Sequence, residues 1–205
     1  MKSKSWLLIL IPIIGFIIYV SIPKSASTKT EKAIDSTAWV QWKKEKDEAL
    51  KNGEESPITN QTAFRGLTYF SYNPSYLDTF DLKKAEKVQK VSIQMSDGTQ
   101  EELLFFGKVT GTIAGQTISL LLYQHDNGDF FLPFKDKTAP KETYGGGRYL
   151  DIPISNLHDS GILIDFNYAY HPFCVYNKDY TCPVPPKENQ LSIRVEAGEK
   201  LTQPF

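Results

Sequence analysis

The sequence predicts a mainly β domain, an antiparallel β-barrel or sandwich with one N-terminal helix packed against it and a membrane helix ahead of that helix. Three observations predict this class. Between residues 91 and 134, apolar and polar side chains alternate, and tight turns separate the alternating segments. The chain contains 12 Phe and 11 Tyr, which favour pleated sheets. One uninterrupted apolar segment lies at the N-terminus.

The size and charge of the chain limit the classes of function. It has 205 residues, which suits one domain behind a short leader. Its 23 basic and 24 acidic residues nearly cancel, so no overall positive field would attract a polyanion. We therefore expect no nucleic-acid partner.

The leader comprises residues 1–24 and is predicted to be a signal anchor, that is, a transmembrane helix. The apolar run from Trp6 to Ile22 spans about 17 residues, the short limit for crossing the hydrocarbon core of a bilayer. The segment Ser25-Ala26-Ser27 offers only a weak cleavage site, which favours retention of the leader. Cleavage, which would give a secreted domain, remains the alternative.

A polar tether, residues 25–36, follows the leader, and residues 37–205 are predicted to form a single β-rich domain. Lysines flank both ends of the leader, so their distribution hardly decides its orientation. The two cysteines favour an oxidising compartment. We therefore expect a single-pass membrane protein with its domain extracytoplasmic, in the periplasm or at the cell surface. The sequence identifies no protein partner.

The first element of the domain is a helix from about Thr37 to Asn52. Trp39, Trp42, Ala49 and Leu50 fall on one stripe, and Gly53 stands where a helix commonly ends. The stripe predicts docking onto the domain. Contact of the two Trp with a membrane surface is the alternative, although the mixed charges of the helix disfavour it.

An antiparallel meander should follow, because tight turns separate short strands. The turns are Asp97-Gly98, Ala114-Gly115 and Asn127-Gly128. The predicted strands cover residues 91–95, 103–109, 117–123 and 130–134, and then 148–154, 162–166 and 191–195 in a part of the chain rich in loops.

The second half of the chain carries long motifs, which cover residues 134–138 (FKDKT), 142–151 (ETYGGGRYLD), 165–174 (DFNYAYHPFC), 181–189 (TCPVPPKEN) and 197–200 (AGEK). These motifs resemble a bacterial family known as domain of unknown function 1684. Upstream, the Trp-rich helix, Ser56-Pro57 and residues 64–70 (FRGLTYF) also fit, so the resemblance extends over about residues 39 to 200. His171 departs from the family pattern, which prefers Asn there. The resemblance implies neither an activity nor a cofactor.

The two cysteines, Cys174 and Cys182, lie eight residues apart in a Pro-rich segment. In an oxidising compartment such a pair most often forms a disulfide, which is the favoured interpretation. Zinc would need further ligands such as His171, Asp165 or Asp179, and the typical paired-cysteine spacing is absent, so no metal site is predicted. A Cys174–His171 nucleophile pair is a third alternative, although Pro172 interrupts the spacing.

Arg148 follows three glycines, Gly145 to Gly147, that lead into a predicted strand. A phosphate cradle requires a following helix, so the glycines indicate a close backbone crossing. The guanidinium of Arg148 needs carboxylate or anion partners. It either holds the loops together in a structural ion-pair network or binds an anionic ligand.

These motifs supply the candidate site residues. Acidic residues could act as general acids and bases, and Tyr side chains could form the floor of a pocket. The candidate ligand-binding residues are Asp136, Glu142, Tyr144, Arg148, Tyr149, Asp151, Asp165, Asn167, Glu188 and Asn189.

Two functions remain open. The favoured one is a membrane-tethered binding or envelope-interaction module for a small or anionic ligand. The alternative is an extracytoplasmic hydrolase that uses acidic residues, with Arg148 stabilising an anion. No cofactor is predicted for either, and whether the chain is an enzyme is left undecided.

Overall fold

The computed structural model describes residues 36–159 and 161–202, which form one unit of helix, sheets and loops. The predicted membrane helix, residues 1–24, lies outside the described residues, as does the predicted tether apart from Ser36. Within the described part of the chain, no helix combines the length and the apolar content needed to cross a bilayer.

Helix α1 spans Thr37–Asn52, as the apolar stripe predicts. Trp39 and Leu50 on this stripe are buried. The indole Nε1 of Trp39 donates a 2.8 Å hydrogen bond to the carbonyl of Asn167, and the Trp42 ring packs edge-on against Tyr168 at 5.1 Å. Both Trp therefore dock the helix onto the β-rich part of the chain.

In the described part of the chain, nine strands follow the helix, and all ladders between them are antiparallel. Their bounds are β1 Thr68–Tyr69, β2 Leu77–Gln94, β3 Gln100–Ile113, β4 Gln116–Gln124, β5 Phe130–Phe134, β6 Arg148–Ile152, β7 Leu157–His158, β8 Gly161–Asp165 and β9 Glu199–Lys200. The three predicted turns join β2 through β5. Gly98, Gly115 and Gly128 each adopt a positive φ there, which glycine permits at little steric cost.

The larger sheet has seven strands in the order β6-β5-β4-β3-β2-β8-β7, and β1 pairs with β9 in a separate ladder. Its terminal strands, β6 and β7, do not pair with each other, so the sheet is open. The mainly β class and the helix ahead of it are confirmed, whereas the barrel, one of the two predicted architectures, is wrong because the described sheet does not close. Alternation assigns the faces of a strand, whereas closure needs the terminal strands to meet with matching tilt and stagger. The terminal strand β7 contains only two residues, which limits the hydrogen bonds it could form with β6.

The predicted strand at residues 191–195 is also wrong, because its backbone groups bond irregularly. The Leu191 N–H donates to the Lys135 carbonyl, whereas the Val195 N–H donates to the carboxylate of Asp136. A side chain thus replaces a neighbouring strand. The last strand of the chain is instead β9.

Apolar side chains pack on both faces of the sheet. One cluster contains Phe80, Leu120 and Leu132, and the other contains Tyr123, Phe131 and Tyr149. All five residues of β5 are buried. A strand covered on both faces can be apolar throughout, as the sequence FFLPF is.

Candidate functional site

Arg148 is fully buried at the start of β6 and has protein partners on both terminal nitrogens. Nη2 contacts Asp136 Oδ1 at 3.1 Å and the Val195 carbonyl at 2.8 Å. Nη1 donates to the carbonyls of Ala197 and Glu199, the latter at 3.2 Å. This guanidinium therefore connects the sheet to the irregular C-terminal segment.

Asp136 completes the network on its other side. Its carboxylate accepts hydrogen bonds from the backbone N–H of Val195 at 2.8 Å and from the N–H and hydroxyl of Thr138 at 3.0 and 2.9 Å. Both terminal nitrogens of Arg148 and both oxygens of Asp136 are thus bonded to protein groups, while the buried Nε of Arg148 has no hydrogen-bond partner among the described residues. A buried ion pair with this many backbone partners has the form of a structural network. Anion binding by Arg148 stays a prediction. The side chain exposes no surface to solvent, which disfavours contact with a ligand.

The other acidic candidates do not meet in one place. Glu142 pairs with Arg194 at 2.5 Å, and Asp165 caps the backbone N–H of Asn167 at 2.9 Å. Asp151 contacts the hydroxyl of Tyr170, and Glu188 is exposed. Separate partners hold the first three carboxylates, so these candidates do not form with one another the convergent pair that a hydrolase needs.

The side chains of the two asparagine candidates form hydrogen bonds with backbone groups of other segments. Asn167 is buried and exchanges hydrogen bonds with both backbone groups of Asn73, at 2.9 and 3.0 Å. Asn189 is also buried and does the same with Leu121, at 2.7 and 2.9 Å. Each amide supplies one donor and one acceptor where a neighbouring strand is missing, which is a role in folding.

Tyr144 and Tyr149 lie beside the cysteines. The Tyr144 side chain interacts with that of Cys174. The Tyr149 hydroxyl donates to the carbonyl of Pro183. Cys174 and Cys182 are present as neighbouring thiols, so the disulfide between them stays a prediction. Among residues 36–159 and 161–202, no group of His, Cys, Asp or Glu is arranged to hold a metal ion.

A second buried ion pair, Lys46–Glu199, lies between α1 and β9. Lys46 Nζ stands 3.3 Å from Glu199 Oε1, and the Glu199 side chain is fully buried. Two further donors reach this carboxylate, the backbone N–H of His171 and the hydroxyl of Tyr176 at 3.3 Å. Burial raises the pKa of Glu199 and lowers that of Lys46, while their mutual attraction opposes both shifts.

His171 links this ion pair to the loop that carries Tyr144. Its Nε2 accepts the Tyr144 backbone N–H at 3.2 Å, so the proton of the neutral ring is on Nδ1, which faces Glu199 Oε2 at 3.7 Å. Burial lowers the pKa of His171 to about 3, and the cations of Arg148 and Lys46 add to that effect. The imidazole is therefore neutral at physiological pH.

A cleft of about 390 Å³ opens next to these groups. Its size suits a small molecule. The described residues that line it are Ile58, Thr59, Asn60, His171, Val175, Tyr176, Leu201 and Thr202. His171 and Tyr176 connect this wall directly to Glu199.

The cleft offers two kinds of contact. Ile58, Val175 and Leu201 provide apolar surface, whereas the Thr and Asn side chains provide hydroxyl and amide groups. None of the described lining residues carries a charge at neutral pH, because His171 is neutral. The arrangement can bind and orient a small uncharged molecule.

Two other clefts, of about 470 and 520 Å³, lie elsewhere on the described surface. The first lies against β2, β7 and β8, and the second against α1 and β1. Neither is lined by residues of the Lys46–Glu199 pair or by the two groups that donate to its carboxylate. The 390 Å³ cleft is therefore the candidate site.

Sequence reasoning missed Lys46, Tyr176 and Glu199, and it considered His171 only as an alternative zinc ligand or as the partner of a Cys174 nucleophile. A signal was available for Lys46, because it occupies the same helical stripe as Trp39, Trp42 and Leu50. Glu199 lies in the motif AGEK, but a motif alone gives no burial. Because the ion pair joins positions 46 and 199, only the tertiary fold brings it together.

Comparisons with known proteins agree with this fold. Residues 62–200 match the sequence family described as protein of unknown function (DUF1684). The solution NMR structure of an uncharacterised protein from Haloarcula marismortui is similar, with a TM-score of 0.64 and 31% sequence identity. That similarity covers 81% of this chain and 94% of the other. A search of curated proteins found no match.

Proposed function

The chain belongs to the DUF1684 family of proteins of unknown function, and from that premise we propose that its domain is a binding module for a small, uncharged ligand. The observation that carries this proposal is the 390 Å³ cleft, whose described lining combines apolar side chains with neutral hydrogen-bonding groups. A ligand that is partly apolar and carries a hydroxyl or carbonyl group matches this lining.

The geometry supports a neutral ligand better than an anionic one. Arg148, the cation that sequence analysis placed in a ligand site, is fully buried and bonded to protein groups. Lys46, which lies behind the cleft wall, is paired with Glu199. An anion in the cleft would therefore meet no cationic side chain among the described residues that line it.

The buried ion pair has a supporting role in this proposal. Glu199 fixes the backbone of His171 and the hydroxyl of Tyr176, and both residues form part of the cleft wall. A wall held by charge-assisted hydrogen bonds is preorganised, which reduces the entropy lost when a ligand binds. Residues 1–24 would hold this module at an extracytoplasmic membrane surface.

Methyl NMR on the full chain in detergent micelles tests the proposal. Small neutral amides and alcohols are titrated in parallel with small carboxylates of similar size. The neutral set should shift the methyl signals of Ile58, Val175 and Leu201, whereas those of the exposed Val88 and Ile154 should stay fixed.

Matched variants sharpen this measurement. Val175→Trp fills the cleft and should abolish the shifts of the Ile58 methyl signals, whereas Val88→Trp on the exposed part of β2 should leave them intact. If carboxylates alone perturb the protein, or if neutral probes act equally on both variants, the cleft is not the ligand site.

A further inference from the structure

The loop that carries both cysteines forms part of the cleft wall. Cys174 and Cys182 lie eight residues apart, and the Cys174 backbone N–H donates to the sulfur of Cys182 at 3.3 Å. The side chains are therefore neighbours before any bond forms between them.

The two cysteines are anchored to different parts of the fold. Cys182 exchanges hydrogen bonds with Ser96 at the β2–β3 turn, at 3.1 and 2.9 Å. Cys174 lies in a short 3-10 segment, Phe173–Val175, directly ahead of the cleft residue Tyr176. A covalent bond between the sulfurs would therefore tie the cleft wall to the large sheet.

The two thiols differ in access and in hydrogen bonding. Cys174 is half-buried, whereas Cys182 is only 7% exposed. The thiol and the backbone N–H of Cys174 lower the pKa of Cys182, whereas the Cys182 sulfur and burial raise the pKa of Cys174. A dissolved reactant reaches Cys174 first, and the more acidic Cys182 beside it can take the Cys174 proton as a thiolate.

We propose that Cys174 and Cys182 form a reversible dithiol–disulfide site that exchanges with low-molecular-weight disulfides and dithiols, and that oxidation fixes the wall of the neighbouring cleft. The exchange stands on the geometry of the two cysteines alone. The consequence for ligand binding rests on the proposed function.

The exchange balances in two steps. The Cys182 thiolate takes the Cys174 proton, the Cys174 sulfur attacks one sulfur of the small disulfide, a mixed disulfide forms, and the reactant's S–S bond breaks to release one thiolate. That thiolate takes the proton from Cys182, the Cys182 sulfur attacks the sulfur of Cys174, and the mixed disulfide breaks to release the second thiolate. The protein loses two electrons, and the reactant gains them.

Differential alkylation with mass spectrometry tests the chemistry on the full chain in detergent. Reduced protein equilibrated with glutathione disulfide should lose both alkylatable thiols within one chain, and reduced dithiothreitol should restore them. Two thiols that stay alkylatable, or disulfides formed only between chains, would overturn the proposal.

Single variants test the order of the steps. Cys182→Ser should stop at a mixed disulfide of glutathione with Cys174. Cys174→Ser should react roughly tenfold more slowly, because the remaining sulfur is buried. Equal rates for the two variants would contradict the assignment of Cys174 as the first sulfur attacked.

Amide hydrogen exchange tests the effect on the wall without any ligand, so its result is independent of whether the cleft binds neutral probes. Oxidation should slow exchange in residues 173–177 by roughly tenfold and leave β5 unchanged. The double variant Cys174→Ser/Cys182→Ser should not respond to oxidant. Disulfide formation with unchanged exchange in residues 173–177 would refute the coupling to the cleft.

Discussion

At the scale of single residues, two buried ion pairs hold the C-terminal segment in place. Arg148–Asp136 joins it to the sheet, and Lys46–Glu199 joins it to α1. Both pairs are desolvated, so each charge depends on its partner and on the surrounding hydrogen bonds. Loss of either partner leaves an uncompensated charge in the interior.

Substitution of Arg148 should therefore destabilise the domain strongly. Arg148→Ala leaves Asp136 and three backbone carbonyls without their donor, and we expect the free energy of unfolding to fall by about 3–5 kcal/mol. Urea denaturation of the full chain measures this change. Arg194→Ala, which breaks solvent-exposed pairs with Glu142 and Glu196, should change the stability little. Similar losses in both variants would contradict the network assigned to Arg148.

His171 should make the domain sensitive to acid. Its pKa is about 3 in the fold and about 6.5 in an unfolded chain, so between these values the unfolded state binds more protons. Its contribution to stability is therefore complete above pH 6.5 and decreases by about 1.4 kcal/mol per pH unit as the pH falls toward 3.

His171→Asn removes this titration and supplies the residue that the family resemblance favours. Unfolding measured at pH 7 and pH 5 should show that the natural chain loses about 2 kcal/mol more than the variant, because 5 lies roughly 1.5 units below 6.5. Equal losses would show that His171 is not held neutral in the fold. Groups that titrate alike in both proteins contribute equally to both losses of unfolding free energy, so their contributions cancel in the comparison.

At the scale of elements, α1 is held by the side chains of its apolar stripe. Trp39 is buried, bonds the carbonyl of Asn167 and packs 5.5 Å from the ring of Tyr72. Lys46 lies on the same stripe and reaches Glu199. One face of the helix thus supplies both apolar contact and the cation behind the cleft.

Removal of the indole tests this docking. Trp39→Ala should lower the free energy of unfolding by about 3–5 kcal/mol, the usual cost of deleting a buried Trp. The neighbouring Val40 is 53% exposed, so Val40→Ala should change it by no more than about 0.5 kcal/mol. Thermal or urea unfolding measures both, and a small effect of Trp39→Ala would mean that the helix is not docked in solution.

Strand β2 shows how an open sheet protects its edge. Its partner β8 covers only residues 77–80, whereas β3 pairs along most of the strand on the other side. The uncovered part carries Lys83, Lys84, Lys87 and Lys90. Lysines on an exposed edge discourage pairing with another chain, which is consistent with a sheet that stays open without aggregating.

At the scale of the whole molecule, the N-terminal leader is expected to decide where the domain works. The full chain should sediment with membranes and resist alkaline carbonate extraction, whereas a chain without residues 1–24 should stay in the soluble fraction. Fractionation of cells that express each form measures this difference.

Labelling of the thiols in intact cells shows on which side of the membrane the domain lies. In intact cells, a membrane-impermeant maleimide should label Cys174 only after treatment with an impermeant reductant, because the predicted disulfide forms in an oxidising compartment. A full chain found in the soluble cytosolic fraction would contradict both the anchor and the orientation.

Local pattern was enough to predict several features of this chain. Helix Thr37–Asn52, strand Phe130–Phe134 and three glycine turns follow from periodicity and backbone preference, which act over a few residues. The family motifs likewise identified the domain. The openness of the sheet and the course of residues 191–195 could not be predicted, because they depend on partners distant in sequence.

The candidate site shows the same division. Sequence alone determined a mainly β domain behind an amphipathic helix and selected Arg148 and its acidic neighbours as important. Only the tertiary structure decided that Arg148 is enclosed and that the cleft lies instead beside His171 and Glu199. The physical reason is that burial and charge pairing depend on which groups meet across the fold, and residues as far apart as 46 and 199 meet only after the chain has packed.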